Sequence, residues 1–157
     1  MEGTNEGIAV FSTIIVGTDG SPDARRALGV AAELASGPEP VDVHVVTAFH
    51  PLTVAELRQL AADLPQEFRP LLHAHVQADS TRDEAARILG AAGVDAVFHQ
   101  VDGEPADVIL QVAEQEGADL IVVGSRGEGM AKRLLHGSVS TNVFHHASCA
   151  VLVVKAE

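Results

Sequence analysis

The sequence predicts an α/β domain built on a doubly wound, five-stranded parallel sheet, and three observations carry that prediction. Short apolar runs without polar alternation recur along the chain, most clearly Ile14 to Val16 and Leu120 to Val123, and such runs read as strands buried on both faces. Longer segments with apolar residues at helical spacing separate them, and strands alternating with helices imply right-handed crossovers in one sheet. At 157 residues the chain is long enough for one domain with a real core and too short for two ordinary ones. With no Trp, no Tyr and five Phe, that core must be aliphatic.

Taken in order, Phe11 to Gly17 is the first strand, centred on Ile14, Ile15 and Val16. Gly17-Thr18-Asp19-Gly20-Ser21 is a turn, in which Ser21 can cap a helix and Pro22 sits at its first position, where a missing N–H costs nothing. Ala24, Ala27, Leu28, Ala31, Ala32 and Ala35 make one helical face, and Gly37-Pro38 ends it. Val41 to Phe49 is the second strand. Pro51 to Gln77 is the least regular stretch: Leu52, Val54, Leu57, Leu60 and Leu64 allow an amphipathic helix that Pro65 and Pro70 interrupt. A helix over Asp79 to Ala92 and a third strand over Val94 to Val101 follow. Pro105 opens a helix with Val108, Ile109, Val112 and Ala113 on one face, closed by Gly117. Leu120 to Val123 is the fourth strand, Gly137 to Ala147 the last helix and Ala150 to Val154 the last strand.

Chemistry is concentrated between Leu120 and Ser140. Gly124, Gly127 and Gly137 follow a buried strand in the pattern G-x2-G-x9-G-S. Gly124 and Gly127 let a backbone approach an anion without a Cβ in the way, and positive φ there would turn successive N–H groups into a concave nest. Gly137 and Ser138 open a helix whose free N–H groups and dipole favour phosphate, and Ser138 and Ser140 add hydroxyl donors. Arg126, Lys132 and Arg133 reverse the local charge, which suits a polyphosphate, although basic residues on a solvated loop are also commonplace. Glycines of this kind also make plain turns. Two commoner phosphate motifs fail on their residues: Met130 and Ala131 stand where a P-loop needs Lys and Ser or Thr, and Lys132 replaces the third glycine of a dinucleotide fingerprint. Asp19, at the end of the first strand, can accept hydrogen bonds from a ribose hydroxyl or an adenine amino group, or serve as a turn aspartate bonding its own backbone.

A formal charge of -12 disfavours nucleic acid and anionic membrane surfaces. The single cysteine, Cys149, excludes an internal disulfide and a Cys-based zinc site. His50, His73 and His75 read as solvated, and His145, His146 and Cys149 point apart and suggest no catalytic or metal role. Residues 1–10 have no signal-peptide character and are expected to be a disordered leader to a domain over 11–157, in the cytoplasm. Ala150 to Val154 is an apolar edge, which invites pairing with another chain.

The pattern Gly124-x2-Gly127-x9-Gly137-Ser138, together with IIVGTDGS from Ile14 to Ser21 and VLVV at the last strand, resembles the universal stress protein family from about Thr13 to Lys155. The resemblance implies a Rossmann-like sheet of the adenine nucleotide alpha hydrolase type with strand order 3-2-1-4-5. Asp19 and Gly124 should then face one another at the switch point between strands one and four. It implies an adenine nucleotide, ATP with or without Mg2+, or AMP or cyclic AMP. Gly17, Thr18, Asp19, the main chain of Ala48 and Val123 would hold the nucleoside. Gly124, Arg126, Gly127, Gly137, Ser138, Val139 and Ser140 would hold ribose and phosphates. It further implies a homodimer joined antiparallel through Ala150 to Val154, with the 51–77 segment as a lid. Two alternatives stay open: slow ATP hydrolysis or autophosphorylation on Ser138 or Ser140, for which His136 and Arg126 are the nearest catalytic candidates, and a dimeric interaction module that binds no nucleotide.

Overall fold

A computed structural model describes residues 10–49, 55, 58, 59, 62, 74–125 and 139–156. Its elements are β1 (Thr13–Gly17), α1 (Pro22–Ala35), β2 (Asp42–Phe49), α2 (Ala74–Ala91), β3 (Ala96–Asp102), α3 (Pro105–Glu116), β4 (Leu120–Gly124), α4 (Val139–His146) and β5 (Ala150–Val154). The strands form one sheet in the order β3-β2-β1-β4-β5, parallel at every pairing. This is the doubly wound sheet and the order expected.

Alternation along each strand sorts the side chains into two layers. Ile14 and Val16 of β1, Val43 and Val45 of β2, and Leu120 and Val122 of β4 pack against Ala27, Leu28 and Ala31 of α1 and Ala85 and Leu89 of α2. Ile15, Val46, Ile121 and Val123 point the other way, against Val108, Ile109 and Val112 of α3 and Val143 of α4. Both layers are aliphatic. Phe11 and Phe98 reach only the margin of the first.

Several element ends differ from the sequence reading. β1 begins at Thr13 rather than Phe11 because Asp119 collects the chain just before it: its Oδ2 accepts from the Ser12 main chain and hydroxyl, both at 2.8 Å, and its Oδ1 from the Thr13 N–H at 3.0 Å. α2 starts at Ala74, so 74–77 belong to a helix and not to an irregular segment. β3 runs from Ala96 to Asp102, later than expected. The helix ends, in contrast, follow their signals. Ser21 accepts from the Ala24 N–H at 3.3 Å with Pro22 at the first helical position, and Gly117 closes α3 in the left-handed conformation at φ 64°.

β5 forms one edge of the sheet, and its Leu152 and Val153 are 37% and 40% exposed. No helix among the described residues is long and apolar enough to cross a membrane.

Candidate functional site

The candidate site lies at the carboxyl ends of β1, β2 and β4. Successive crossovers leave β1 in opposite directions, to β2 on one side and by way of β3 to β4 on the other, so the sheet's switch point falls between β1 and β4. Open α/β sheets bind ligands outside the strand ends at such a point.

The exit of β1 is tightly tied. The Thr18 N–H donates to the Val46 carbonyl at 3.0 Å, and the buried Thr18 hydroxyl accepts the Gly20 N–H at 3.3 Å. Gly20 takes φ 81°, a conformation open to glycine at little cost. The exposed Asp19 accepts the Ser21 N–H through Oδ1 at 2.9 Å, the turn-aspartate geometry that its position also allowed. Gly17 has a packing reason: a Cβ there would lie 2.5 Å from Ile109 Cδ1.

The exit of β2 runs on past its last pair with β1. Asp42 donates its N–H to Ser12, and Val46 accepts from Thr18, so the even-numbered residues of β2 turn their main-chain groups toward β1. Phe49 accepts instead from Gly103, on the β3 side, at 3.1 Å. Because main-chain direction alternates with period two, Ala48 points its N–H and C=O toward β1. The last β1 pair is Gly17 with Val46, so those groups of Ala48 point past the last ladder pair, on the side of Thr18. A donor and an acceptor side by side at a strand end can read the edge of a planar heterocycle.

The exit of β4 crosses the start of α1. A Cβ on Gly124 would lie 2.8 Å from the Ala24 nitrogen and 2.8 Å from the Asp23 carbonyl carbon. Close approach to the first turn of α1 is thus one reason for glycine here, and Gly124 does not take the positive φ expected for a nest. Asp23, 3% exposed, was not singled out from the sequence. Its Oδ2 accepts the Ser125 hydroxyl at 2.5 Å, and its Oδ1 accepts the Ala156 N–H at 2.9 Å. Ser125 in turn donates its N–H to the Val154 carbonyl at 2.8 Å. One buried carboxylate thus clasps the exits of β4 and β5 onto α1.

Of the sequence-assigned residues, Gly17, Thr18, Asp19, Ala48, Val123 and Gly124 stand at neighbouring strand ends, with Val123 buried. Val139 and Ser140 occupy the first turn of α4, the former exposed and the latter buried. Arg126, Gly127, Gly137 and Ser138 lie outside the described residues, as do His136, Lys132, Arg133 and most of the 51–73 segment.

Two further groups went unseen in the sequence. One is Asp119, whose half-buried carboxyl is held below the ordinary carboxylate range: burial pushes it up, but the donors from Ser12 and Thr13 together outweigh that. The other is His44 on β2 and His99 on β3, whose ring nitrogens meet at 2.9 Å. Burial, then the neighbouring His44, hold His99 below the ordinary imidazole range, with Glu116 pulling the other way. The histidines weighed from the sequence were different ones: His50 and His73 lie outside the described residues, and His75 falls in α2. An open depression of about 270 Å³, lined by Ala113, Glu114, Ala118, His146 and Cys149 among others, lies at the far end of the sheet. Burial, then the Asp119 charge, raise the Cys149 thiol, which keeps it protonated and poorly nucleophilic.

The sequence profile of the Universal stress protein family matches residues 11–155. A universal stress protein of Thermus aquaticus is 37% identical over 146 residues, covering 93% of this chain and 100% of its own length. The universal stress protein YxiE of Bacillus subtilis is 31% identical over 149 residues, with 93% and 100% covered. Among solved structures, a universal stress protein in complex with cAMP superposes with a TM-score of 0.68 at 32% identity, over 92% of this chain and 97% of that one. Another, from Archaeoglobus fulgidus, gives 0.67 at 28% identity over 92% and 93%.

Proposed function

The chain belongs to the universal stress protein family, and from that premise we propose that it binds an adenine nucleotide at the carboxyl ends of β1, β2 and β4 and acts as a nucleotide-responsive regulatory protein of the cytoplasm. The observation that carries this reading is the main chain of Ala48, whose donor and acceptor point past the last β1–β2 ladder pair. A pair of that kind suits the adenine edge, and it is indifferent to the Ala48 side chain. The complex of a relative at 32% identity with cAMP supports the same ligand class.

In this reading Gly17, Thr18, Asp19 and Val123 flank the nucleoside, with Asp19 reaching the ribose. Gly124, Arg126, Gly127, Gly137, Ser138, Val139 and Ser140 surround ribose and phosphates. ATP is the proposed ligand, with Mg2+ as the counter-ion of the triphosphate, and AMP and cyclic AMP compete for the same place. Binding, and not turnover, is the proposed activity. A second copy pairs antiparallel along Ala150 to Val154, which the exposed edge position of β5 favours.

Isothermal titration of the tag-free protein with ATP, AMP and cyclic AMP, with and without Mg2+, tests the ligand. The expected result is saturable heat with one ligand equivalent per chain; the absence of heat with every adenine nucleotide at high protein concentration defeats the reading. Light scattering at micromolar concentration tests the dimer, which a monomer mass with and without nucleotide would rule out.

A further inference from the structure

Among the described residues, three side chains of metal-binding type converge in one place, away from the strand ends just described. The β2–β3 register pairs His44 with Val97 and Val46 with His99. The two histidines are therefore one diagonal step apart on neighbouring strands, on the same face of the sheet. That face is the one covered by α3, with Val46 and Val101 in the same layer. Glu116 arrives from the opposite side of the layer. It is the last residue of α3, one turn beyond the buried Val112, and so lies on the stripe that α3 turns to the sheet.

The distances set the chemistry. His44 Nδ1 is 2.9 Å from His99 Nε2, and His44 Nε2 is 3.8 Å from Glu116 Oε2. One donor atom from each residue falls within 4.8 Å of the other two. At 3.8 Å the carboxylate is beyond hydrogen-bond reach of the imidazole, so that contact leaves its oxygens available to a cation. His44 is 8% exposed while Glu116 is exposed, which gives a buried ligand at the base and an entry from solvent at the rim.

We propose that His44, His99 and Glu116 bind a divalent transition-metal ion of the zinc type, with water completing the coordination. Two nitrogens on a tetrahedral Zn2+ at about 2.0–2.1 Å each stand roughly 3.3 Å apart, so to admit the ion the two rings need to part by about 0.4 Å and the exposed Glu116 carboxylate, now beside His44 Nε2, to swing toward the His44 Nδ1 side. The site also has the right field. α3 ends beside it, with the partial negative charge of its terminal carbonyls, and no basic residue lies in its last turn. Two imidazoles and one carboxylate leave an open position on zinc, so the ion would keep exchangeable water. The site does not share residues with the nucleotide site.

The test uses the tag-free, chelator-treated, nucleotide-free chain, since a triphosphate would itself hold the metal. Zn2+ is titrated against a chromophoric competitor, and Co2+ is added separately to read geometry from its visible absorption. One equivalent of Zn2+ is expected, with affinity lowered at least about tenfold in both His99→Gln and Glu116→Gln and unchanged in His146→Gln, an exposed histidine on α4. Tetrahedral Co2+ bands should vanish in the same two variants. Glu116 is exposed, so Glu116→Gln keeps the test decisive if His99→Gln fails to fold. Absence of Zn2+ binding, or binding that neither variant weakens, overturns the proposal and leaves the two rings as a hydrogen-bonded pair.

Discussion

The two ends of the sheet are each closed by one aspartate, and they are closed differently. At the amino end Asp119, half-buried, gathers three donors from Ser12 and Thr13 and ties the entry of β4 to that of β1. At the carboxyl end Asp23, buried, ties the exits of β4 and β5 to the first turn of α1 through Ser125 and Ala156. The amino-end clasp joins the two central strands, β1 and β4. The carboxyl-end clasp pulls β4 and β5 toward α1 and involves no residue of β2. The sheet is thus secured at both ends, while the proposed nucleotide site lies at only one of them.

Removing the buried clasp should cost most. Asp23→Ala strips the Ser125 hydroxyl and the Ala156 N–H of a charged acceptor in a buried place, a loss of about 3 kcal/mol. For a chain of this size that lowers Tm by about 10 °C in calorimetry; a shift of only a degree or two would mean that the carboxyl end is held by packing alone. Gly124→Ala comes next. Its new Cβ would meet backbone at 2.8 Å, which no rotamer can relieve, and the forced displacement should cost about 2 kcal/mol in urea unfolding. Because β4 shifts with it, nucleotide affinity in the proposed site should fall as well. An unchanged stability would show that the first turn of α1 yields easily.

The amino end should respond least, and through pH. Asp119→Asn should cost about 1 kcal/mol at neutral pH. The folded carboxyl titrates below its unfolded value, so its contribution is complete above the ordinary carboxylate pKa of about 4 and is lost as pH falls through the lowered value. Wild type and variant should therefore differ by a constant amount from neutral pH down to that range and converge in stronger acid. A gap that persists in acid would place the effect of Asp119 in its shape instead of its charge.

What could be read in the sequence was what neighbours in the chain decide. Ile14 to Val16 and Leu120 to Val123 announced themselves as buried strands, and Ser21-Pro22 and Gly117 announced helix ends, because each signal is complete within a few residues. The strand order came from the family likeness and not from any run of residues. Asp23 escaped notice because an acid in the first turn of a helix already has a reason to be there in the helix dipole; its second role depends on Ser125 and Ala156, 102 and 133 positions away. His44 and His99 escaped for the same reason, meeting across 55 positions through a sheet register. Gly124 was legible as a glycine that lets a backbone approach, and the folded chain adds a second reason for its bareness, the close passage of the α1 backbone.

Two hydrophobic clusters built, among the described residues, from branched and small aliphatic side chains, with phenylalanine at the margin of one, go with a chain that holds no Trp and no Tyr, and this has a practical consequence in the near ultraviolet. Without indole or phenol rings the protein is almost transparent where purines absorb. Any base carried through purification would announce itself in the raw absorption spectrum, with no label and nearly no background to subtract.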